Sequence, residues 1–415
     1  MKEMKKILFF MGIILAGIPA LAQNETTDKY EEVVIPQALE QPIDSLLDEW
    51  KVKHYVLASD SDCMKGSNPY FPDSVYIDRL VKMPTVMEMA YNEVVRKYID
   101  TYVEGKMREK VSYMLGAANF YIPIFEEALE AYGLPLELKY LPIIESALNP
   151  SAVSRAGAAG LWQFMTSTAK IYGLTVNSLV DERRDPIKST WAAARYLKDL
   201  YDIYKDWNLV IAAYNCGPGN VNKAIKRTEG KADYWEIYYN LPKETRGYVP
   251  AFIAANYVMT YYCDHNICPM QTDLSMTTDT IHVNRQLHFK QIAEVCDIPM
   301  DEIRDLNPQY RRDIIPGNSQ ECILRLPNEH LYTLISNMDS VYNHKKDQLF
   351  THRATVNLKE TTSAKQASAV VYHKIRSGDT LSTIARRYGT TVSRIKKLNG
   401  LKNNNIRAGK TIRVK

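Results

Sequence analysis

Apolar residues recur at spacings of three and four through residues 84–264, most clearly in four segments: 86–105, 122–131, 189–204 and 248–262. This spacing is the period of a helix with one apolar face. Alternating apolar and polar positions, which are typical of a half-buried strand, are nearly absent from this part of the chain. The pattern predicts an all-α domain, which we bound at residues 84–270.

The start of one helix in this domain is marked by its own residues. Asp185 precedes Pro186, and an alanine-rich stretch follows. A carboxylate before a proline in the first turn is typical of a helix N-terminus, because the carboxylate accepts hydrogen bonds from free backbone N–H groups. Arg183 and Arg184 lie beside this cap, and we expect them to form structural ion pairs rather than to act in catalysis.

The stretch before the helical domain, residues 23–83, is polar and is interrupted by Pro36, Pro42, Pro69 and Pro72. Prolines at such intervals interrupt regular helices and strands. We therefore expect an irregular extension that wraps a neighbouring part of the molecule.

The C-terminal part of the chain contains a diverged repeat. At an offset of 92 residues, Ile292-Ala293 falls on Ile384-Ala385, Leu306-Asn307 on Leu398-Asn399, and Gly317 on Gly409. Such self-similarity indicates two copies of one module, each with the order strand, helix, turn, helix, strand. In the second copy these elements are expected at 372–375, 381–388, 392–398 and 411–414.

We bound the two modules at residues 280–328 and 371–415, with a linker at 329–370 that begins as a helix and ends in Thr, Ser, Ala and Lys. The whole chain is therefore predicted to be mainly α, with an all-α domain followed by small α+β (βααβ) modules.

The N-terminus has the pattern of a secretory signal. Lys2, Lys5 and Lys6 precede an apolar run from residue 7 to 21, and Ala20-Leu21-Ala22 fits a cleavage site. We predict a signal peptide at residues 1–22, export to the periplasm and no membrane span after cleavage. The alternative is an anchoring helix, although the run is short for a bilayer. Association with the outer membrane or the cell wall stays open.

Export makes the six cysteines available for disulfides. By position, the nearest candidate pairs are Cys263/Cys268 and Cys296/Cys322, and the sequence leaves the connectivity open. No Cys-x-x-Cys pair and no His-Glu-x-x-His helix occur. We therefore expect neither a metal nor a cofactor.

The charge of the chain is unevenly distributed. The 415 residues carry 52 basic and 48 acidic side chains, for a net charge of +4. Residues 371–415 contain twelve Lys or Arg and one acidic residue, Asp379, a local charge of +11. Nucleic-acid binding is one interpretation of such a tail, but export and the scarcity of interleaved aromatic residues argue against it. A solvated face, or attraction to an acidic wall polymer, explains the charge better.

Glu145 is the candidate for acid chemistry. It follows the apolar helical segment 134–144, and Asn149-Pro150 ends the helix just beyond. The negative end of the helix dipole and the apolar residues Leu141, Ile143 and Ile144 both favour the protonated carboxyl. The alternative is an exposed helical charge. The small residues at 154–160 suggest a place where a substrate can approach the backbone.

Three motifs in order resemble the family-1 lytic transglycosylases: Glu145-Ser146, Gly160-Leu161-Trp162-Gln163 and Ala213-Tyr214-Asn215-Cys216-Gly217. The resemblance covers roughly residues 134–262 and implies a lysozyme-like fold. With the modules downstream, the architecture is similar to the membrane-bound lytic transglycosylase D group.

The resemblance also assigns roles. It makes Glu145 the sole catalytic acid and base, and Ser154 the residue that orients the substrate acetamido group. It places Gln163 and Met165 in the same subsite, Tyr214 and Asn215 facing the acid, and Tyr248 in the groove. From the residues alone, Met165 is equally a core residue, Asn215 a helix-end cap and Tyr248 a packed aromatic.

The sequence departs from the family pattern at three positions. Trp162 stands where Met is commoner, so it either stacks on a sugar or packs in the core. Thr166 replaces a frequent proline. Cys216 replaces a small Ala or Ser, and no His motif accompanies it as a nucleophile would require.

The second copy of the repeat resembles a LysM domain, a βααβ module that binds polymers containing N-acetylglucosamine. The resemblance rests on residues 377–381, Ile384-Ala385, Leu398-Asn399-Gly400 and residues 407–409. It implies a glycan groove formed by Gly378, Asp379, Thr380, Asn404 and Ile406. Asp379 is also expected to cap the first helix. The first copy has residues 284–289 in place of Gly-Asp-Thr, and we describe it as a degenerate LysM-like module.

Taken together, the resemblances imply an enzyme that binds peptidoglycan glycan strands. It would cleave the MurNAc–GlcNAc β-1,4 bond and form 1,6-anhydro-MurNAc. One alternative is a hydrolytic muramidase with Asp181, Glu182 or Asp185 as the second carboxylate. Another is a non-catalytic scaffold that binds the wall. The oligomeric state stays open.

Overall fold

The computed structural model describes residues 33–43, 66–270, 277–350, 372–388, 390–401 and 403–414. The expected signal peptide at residues 1–22 lies outside the described residues, as do parts of the extension and of the linker. In the described part of the chain, no helix is both long and apolar enough to cross a membrane.

The first part of the described chain is built of α-helices, with three short 3-10 turns among them. The helices are α1 (Gln37–Glu40), α2 (Asp73–Lys82), α3 (Glu93–Val103), α4 (Met107–Ala131), α5 (Leu141–Ser146), α6 (Thr166–Ile171), α7 (Pro186–Tyr204), α8 (Trp207–Cys216), α9 (Pro218–Arg227), α10 (Tyr234–Ile237) and α11 (Lys243–Tyr261). The prediction of a mainly α chain is confirmed.

Helix α11 lies at the centre of this helical domain. Its side chains from Gly247 to Met259 are all buried, and it packs against α3, α5 and α8. An apolar surface on every side is typical of a helix enclosed by others. Helices α5 and α8 and α11 itself carry four of the candidate site residues, namely Glu145, Tyr214, Asn215 and Tyr248. The packing of these helices therefore fixes the relative positions of those four residues.

The cap predicted from Asp185-Pro186 is present. The Asp185 carboxylate accepts hydrogen bonds from the backbone N–H of Ile187 and Lys188, at 3.0 and 2.9 Å. Arg183 pairs with Asp181 through two hydrogen bonds of 2.8 and 2.9 Å, which confirms its structural role.

The described parts of the N-terminal extension belong to the helical core. Leu39 of α1 and Tyr76 and Leu80 of α2 are each 3% exposed or less and lie in the same apolar cluster as the rest of the domain. These described parts are therefore more regular than the prolines suggested, because their apolar side chains complete the core.

The first module contains β1 (Thr278–Val283), β2 (Gln286–His288), α12 (Phe289–Cys296), α13 (Met300–Leu306), β3 (Ile314–Pro316) and β4 (Cys322–Pro327). Strand β1 pairs antiparallel with β4, from Thr278 opposite Pro327 to Val283 opposite Cys322. Strand β2 pairs with β3, which adds a second small ladder to the predicted βααβ order.

The chain continues from β4 into α14 (Asn328–Ser336), α15 (Met338–Asn343) and α16 (Lys346–Leu349). Leu334, Val341 and Tyr342 of the first two helices are buried in the core of the module. The module thus extends beyond residue 328 into the stretch expected to be linker, because these side chains cover its sheet and first helix. The later part of that stretch, 351–371, lies outside the described residues.

The second module has the expected order: β5 (Tyr372–Lys374), α17 (Leu381–Arg387), α18 (Val392–Asn399) and β6 (Thr411–Arg413). Strands β5 and β6 pair antiparallel, with Tyr372 opposite Arg413. Its small core includes Leu381, Ile384, Ile395 and Ile412. These boundaries agree with the sequence prediction to within a residue or two.

The first module docks on the helical domain. The backbone N–H of Asp181 donates to the Gln309 carbonyl at 2.8 Å, and that of Arg311 donates to the Leu179 carbonyl at 2.7 Å. Leu179 and Val180 of the helical domain belong to the apolar core of the module. Buried Asp181 also accepts a hydrogen bond from Arg311. This joint combines backbone, apolar and charged contacts.

Both disulfide pairs suggested by position are wrong. Cys268 is disulfide-bonded, but Cys263 is a free thiol on an exposed turn and so is not its partner. Cys296 and Cys322 are both free and buried in the first module. Burial raises the pKa of each of these two thiols, because the thiolate loses hydration there.

Candidate active site

Glu145 lies in the last turn of α5, a helix of six residues. Its neighbours Leu141, Ile143 and Ile144 are each 2% exposed or less. The helix ends in a left-handed turn at Ala147 and Leu148, with φ of 51° and 61°. Such values are uncommon for residues with a Cβ and typically cluster at functional sites.

The environment of Glu145 favours the protonated acid. Burial raises the pKa of Glu145 to about 7, against a partial opposing effect of a hydrogen bond from Tyr248. The cost of removing the carboxylate from water is therefore larger than the stabilisation that the phenol supplies. A carboxyl with a pKa near neutrality both donates and accepts a proton readily.

Two tyrosines from different helices surround this carboxyl. Tyr248 of α11 donates its hydroxyl to Oε1 of Glu145, and Tyr214 of α8 donates to the Trp162 carbonyl at 2.7 Å. Burial, and then the charge of Glu145, raise the pKa of both tyrosines well above its ordinary value. Both therefore act as neutral hydrogen-bond donors.

The remaining predicted residues are held by local hydrogen bonds. Asn215 Oδ1 accepts from the Thr245 hydroxyl at 2.9 Å, a contact between helices rather than a helix-end cap. The Ser154 hydroxyl accepts from the Ala158 N–H at 3.0 Å. Gln163 Nε2 donates to the Gly160 carbonyl at 2.9 Å, and Met165 is 43% exposed rather than in the core.

These residues meet in one cleft of about 480 Å³. Its lining includes all seven candidates from the helical domain, namely Glu145, Ser154, Gln163, Met165, Tyr214, Asn215 and Tyr248. They come from four separate stretches of the chain, and the fold brings them together around the Glu145 carboxyl. The cleft is the candidate active site.

Sequence reasoning missed several residues of the same cleft. Tyr196 of α7 and Glu244 in the first turn of α11 both line it, and so do Arg155 and Thr168. A further part of the lining comes from the N-terminal residues 34–41. The only local signal for Tyr196 is its place on a predicted helix, and a helical pattern does not say which cleft a face borders.

The carboxylates considered for a hydrolytic reaction lie elsewhere. Asp181 pairs with Arg183 and Arg311, Glu182 bonds the Thr175 N–H and Lys188, and Asp185 caps α7. None of the three lines the cleft of Glu145 in the described part of the chain. The carboxylates that do line it, besides Glu145, are Glu40 and Glu244.

The three sequence motifs are tied together by the same fold. The Ser146 hydroxyl lies 2.9 Å from the Leu161 carbonyl oxygen and thereby joins the first motif to the second. Trp162 is fully buried and donates its indole N–H to the Thr190 hydroxyl at 2.8 Å. It therefore packs in the core and presents no face to a sugar.

Packing inside the protein, rather than the expected approach of a substrate, explains why position 160 is a glycine. Its φ is +86°, and a Cβ there would lie 1.7 Å from the Arg183 carbonyl oxygen. Another part of the chain already occupies the space beside it. Cys216 is half-buried, and burial raises the pKa of its thiol, which disfavours the nucleophilic thiolate.

In the second module the predicted groove residues lie near the first helix and the loop before β6. Thr380, not Asp379, caps α17, in a reciprocal arrangement with Thr383. Asp379 instead accepts from the Arg376 N–H and pairs with His373, each at 2.8 Å. Gly378 has φ of +89°, Asn404 is exposed, and Ile406 packs on the module core.

Comparison with known families gives three matches along the chain. A Transglycosylase SLT domain matches residues 123–237, a "Lytic transglycosylase MltD, LysM-like domain" matches residues 277–343, and a LysM domain matches residues 373–415. The second match extends beyond residue 328, in agreement with the packing of α14 and α15.

Among curated proteins, the chain is similar to membrane-bound lytic murein transglycosylase D of Escherichia coli K12, with 30% identity over 286 residues. The alignment covers 68% of this chain and 60% of that protein, so the chain spans about three fifths of that relative. It is also 32% identical over 124 residues to soluble lytic murein transglycosylase of the same organism, covering 28% of this chain and 19% of that protein.

Among solved structures, one match is the 70 kDa soluble lytic transglycosylase SLT70 of Escherichia coli. The identity is 24% and the TM-score is 0.32, with 45% of this chain and 32% of that chain covered.

Proposed function

Because the chain belongs to the lytic transglycosylase family that joins an SLT domain to LysM domains, we propose that it cleaves peptidoglycan glycan strands. The bond is the β-1,4 linkage between MurNAc and GlcNAc, and the product carries a 1,6-anhydro-MurNAc end. The observation that carries the proposal is Glu145, a carboxyl with a pKa of about 7 in a cleft lined by neutral tyrosines.

The reaction uses one carboxyl twice. Glu145 donates its proton to the glycosidic oxygen as the bond to the muramyl carbon breaks, and the substrate's own acetamido carbonyl stabilises the cationic centre. The Glu145 carboxylate then takes the proton from the muramyl 6-hydroxyl, whose oxygen closes the anhydro ring. Atoms and charge balance without water, and the enzyme returns to its starting protonation state.

The other cleft residues have supporting roles in this proposal. Tyr248 holds the Glu145 carboxyl and stabilises it while it is ionised, since a phenol donates a hydrogen bond to the charged form. Tyr214 and Asn215 complete the wall around the acid, and Ser154 orients the acetamido group. Gln163 and Met165 line the same sugar subsite.

The second module would hold the enzyme on the wall through Gly378, Asp379, Thr380, Asn404 and Ile406. Its local charge of +11 attracts a polymer whose stem peptides carry carboxylates. The proposed place of action is the periplasm, which requires export by the N-terminal residues 1–22.

Digestion of purified sacculi tests the proposal. The expected fragments end in anhydro-MurNAc and are lighter by one water than hydrolysed fragments, so mass spectrometry separates a transglycosylase from a muramidase. Glu145→Gln should lower the rate by about 10²–10⁴-fold. Glu130→Gln, on an exposed position of α4, is the matched control and should keep the parent rate.

Reducing MurNAc ends as the main product would favour hydrolysis. Glu40 and Glu244, which also line the cleft, would then be the candidates for the second carboxylate. Full activity of Glu145→Gln would overturn the assignment of the acid. If the parent protein binds sacculi but releases no soluble fragments, the result would favour a non-catalytic scaffold that binds the cell wall.

A further inference from the structure

A short N-terminal segment borders the cleft of Glu145, although it precedes that residue by about a hundred positions. We name residues 33–43 the N-terminal wall. Its members that line the cleft are Val34, Ile35, Pro36, Gln37, Ala38, Glu40 and Gln41. No other described segment before α5 contributes to the lining.

The N-terminal wall is fixed to the helical domain at several points. Leu39 is 1% exposed in the main apolar core, and Lys110 donates its ammonium group to the Leu39 carbonyl. The Tyr98 hydroxyl bonds both the N–H and the carbonyl of Val34, at 3.1 and 3.0 Å. These contacts fix the segment at Val34 and at Leu39 of α1, and α1 packs against α5, the helix of Glu145.

The wall also lies close to the helix that carries Tyr248. A Cβ added at Gly247 would come within 2.0 Å of the Tyr98 hydroxyl and 3.4 Å of the Val34 carbonyl oxygen. Only a residue without a side chain allows this approach between α11 and the wall contact. The wall therefore packs beside both helices that carry the Tyr248–Glu145 hydrogen bond.

The side chains of the wall suit a carbohydrate. Gln37 is exposed and Gln41 partly exposed, and their amides both donate and accept hydrogen bonds, as sugar hydroxyl and acetamido groups require. Ala38 between them is small and leaves the cleft open. The core contacts of Leu39 fix the backbone, so these groups are presented without prior ordering of the segment.

Resting on the proposed function, we propose that Gln37, Ala38 and Gln41 form a sugar subsite beside Glu145. The subsite sets which bond along a glycan strand reaches the acid. The cleft is thus completed by the N-terminal wall, and the wall determines the length of the released fragments.

Two full-length variants test the subsite. Ala38→Phe fills the cleft and should lower kcat/KM on peptide-free MurNAc–GlcNAc strands at least tenfold and shift the fragment lengths. Gln37→Ala combined with Gln41→Ala should raise KM about fivefold, change the fragment lengths and leave kcat and its pH profile nearly unchanged. Ala232→Phe makes the same change as the first variant on an exposed position outside the cleft and should match the parent.

The two glutamines are accessible to solvent, so their removal should leave the unfolding temperature unchanged. If Ala38→Phe fails to fold, the variant that combines Gln37→Ala with Gln41→Ala tests the subsite alone. Parent KM and fragment lengths in a folded double variant would overturn the subsite. Binding of the same strands to Glu145→Gln, with and without the glutamine changes, gives a readout that needs no turnover. A parent enzyme that produces no anhydro ends would contradict the proposed function instead. The binding measurement would still test whether the N-terminal wall contributes a sugar subsite.

Discussion

The protonation of Glu145 depends on two opposing effects within one side chain's surroundings. Burial disfavours the carboxylate, and the Tyr248 hydrogen bond favours it; the first effect is larger and the pKa lies at about 7. Because the first step needs the proton on Glu145, kcat/KM should be constant below this pH and fall about tenfold per unit above it. The position of this limit reports the balance directly.

Tyr248→Phe changes that balance in a defined direction. The phenol stabilises the carboxylate, so its removal should raise the pKa of Glu145 and move the alkaline limit of kcat/KM to higher pH. The plateau should fall by about 10- to 100-fold, since a hydrogen bond to a charged group is worth about 1.5–3 kcal/mol. The measurement is the pH dependence of kcat/KM on soluble glycan strands.

Tyr214→Phe is the comparison for this experiment. Its hydroxyl donates to the Trp162 carbonyl and not to Glu145, so the limit should stay near pH 7 even where the rate changes. A limit that moves equally in both variants would show that the Tyr248 contact does not control the acid.

At the scale of elements, the motif around Gly160 is a junction between two loops. The stretch that carries Ser154 and Gln163 packs directly on the backbone at Arg183, while the Arg183 guanidinium donates to the Gly157 and Phe164 carbonyls at 2.8 and 3.0 Å. The segment at Arg183, which leads into α7, therefore fixes the loop that carries Ser154 and Gln163 on the side away from the cleft.

Gly160→Ala should break this junction. A Cβ 1.7 Å from the Arg183 carbonyl oxygen forces the backbone apart, and φ of +86° is already unfavourable for alanine. Together these effects should lower the free energy of unfolding by roughly 2–5 kcal/mol. Gly157→Ala has φ of +85° but open space around it, so it should cost only about 1–2 kcal/mol. Equal unfolding temperatures for the two variants would contradict the role of the close approach.

The elements that sequence predicts well are those that local signals define. The helical period placed α7 and α11 within a few residues, Asp185-Pro186 marked the start of α7, and the repeat gave the elements of the second module. The apolar neighbours of Glu145 in sequence made it a candidate acid, and the resemblance of three ordered motifs to the family-1 lytic transglycosylases made it the predicted catalytic residue. These signals need no knowledge of distant parts of the chain.

The missed parts depend on contacts between distant residues. The N-terminal wall owes its place to Leu39 in the core and to Tyr98, 64 positions from Val34, and its helix has only four residues. The capping role assigned to Asp379 was wrong by one position, because both Asp379 and Thr380 are good caps and the turn geometry selects between them. The sequence offered Asp181 as a possible second carboxylate for hydrolysis, and only the fold shows that it pairs with Arg183 and Arg311.

For the whole molecule, the joint between the helical domain and the first module gives that module a structural role. The loop at Gln309–Arg311, which joins α13 to β3, binds the 179–181 backbone. In the repeat, this loop corresponds to the one that carries Asn404 and Ile406 in the second module. The first module thus uses toward the helical domain the region that its sister copy is proposed to use toward glycan.

Arg311→Gln tests this joint with little disturbance inside the helical domain. Asp181 is fully buried, whereas the Arg311 side chain is 29% exposed, so the loss should be about 1–2 kcal/mol and should speed hydrogen exchange at residues 177–185. Arg312→Gln, on the exposed neighbour, should change neither quantity. An effect of Arg312→Gln as large as that of Arg311→Gln would contradict the assigned ion pair.

Asp181→Asn should cost more, about 3–5 kcal/mol, because Arg183 then stays buried without its charged partner. Burial alone would raise the pKa of Asp181, but the two arginines outweigh it and hold that pKa below its ordinary value of 3.8. A lowered carboxylate pKa contributes stability above the unfolded value and loses it as pH falls through the folded one. The difference in unfolding free energy between the parent and Asp181→Asn should therefore be full at pH 7 and shrink below about pH 4. A difference that is independent of pH would mean that packing, rather than the charge of Asp181, holds the first module to the helical domain.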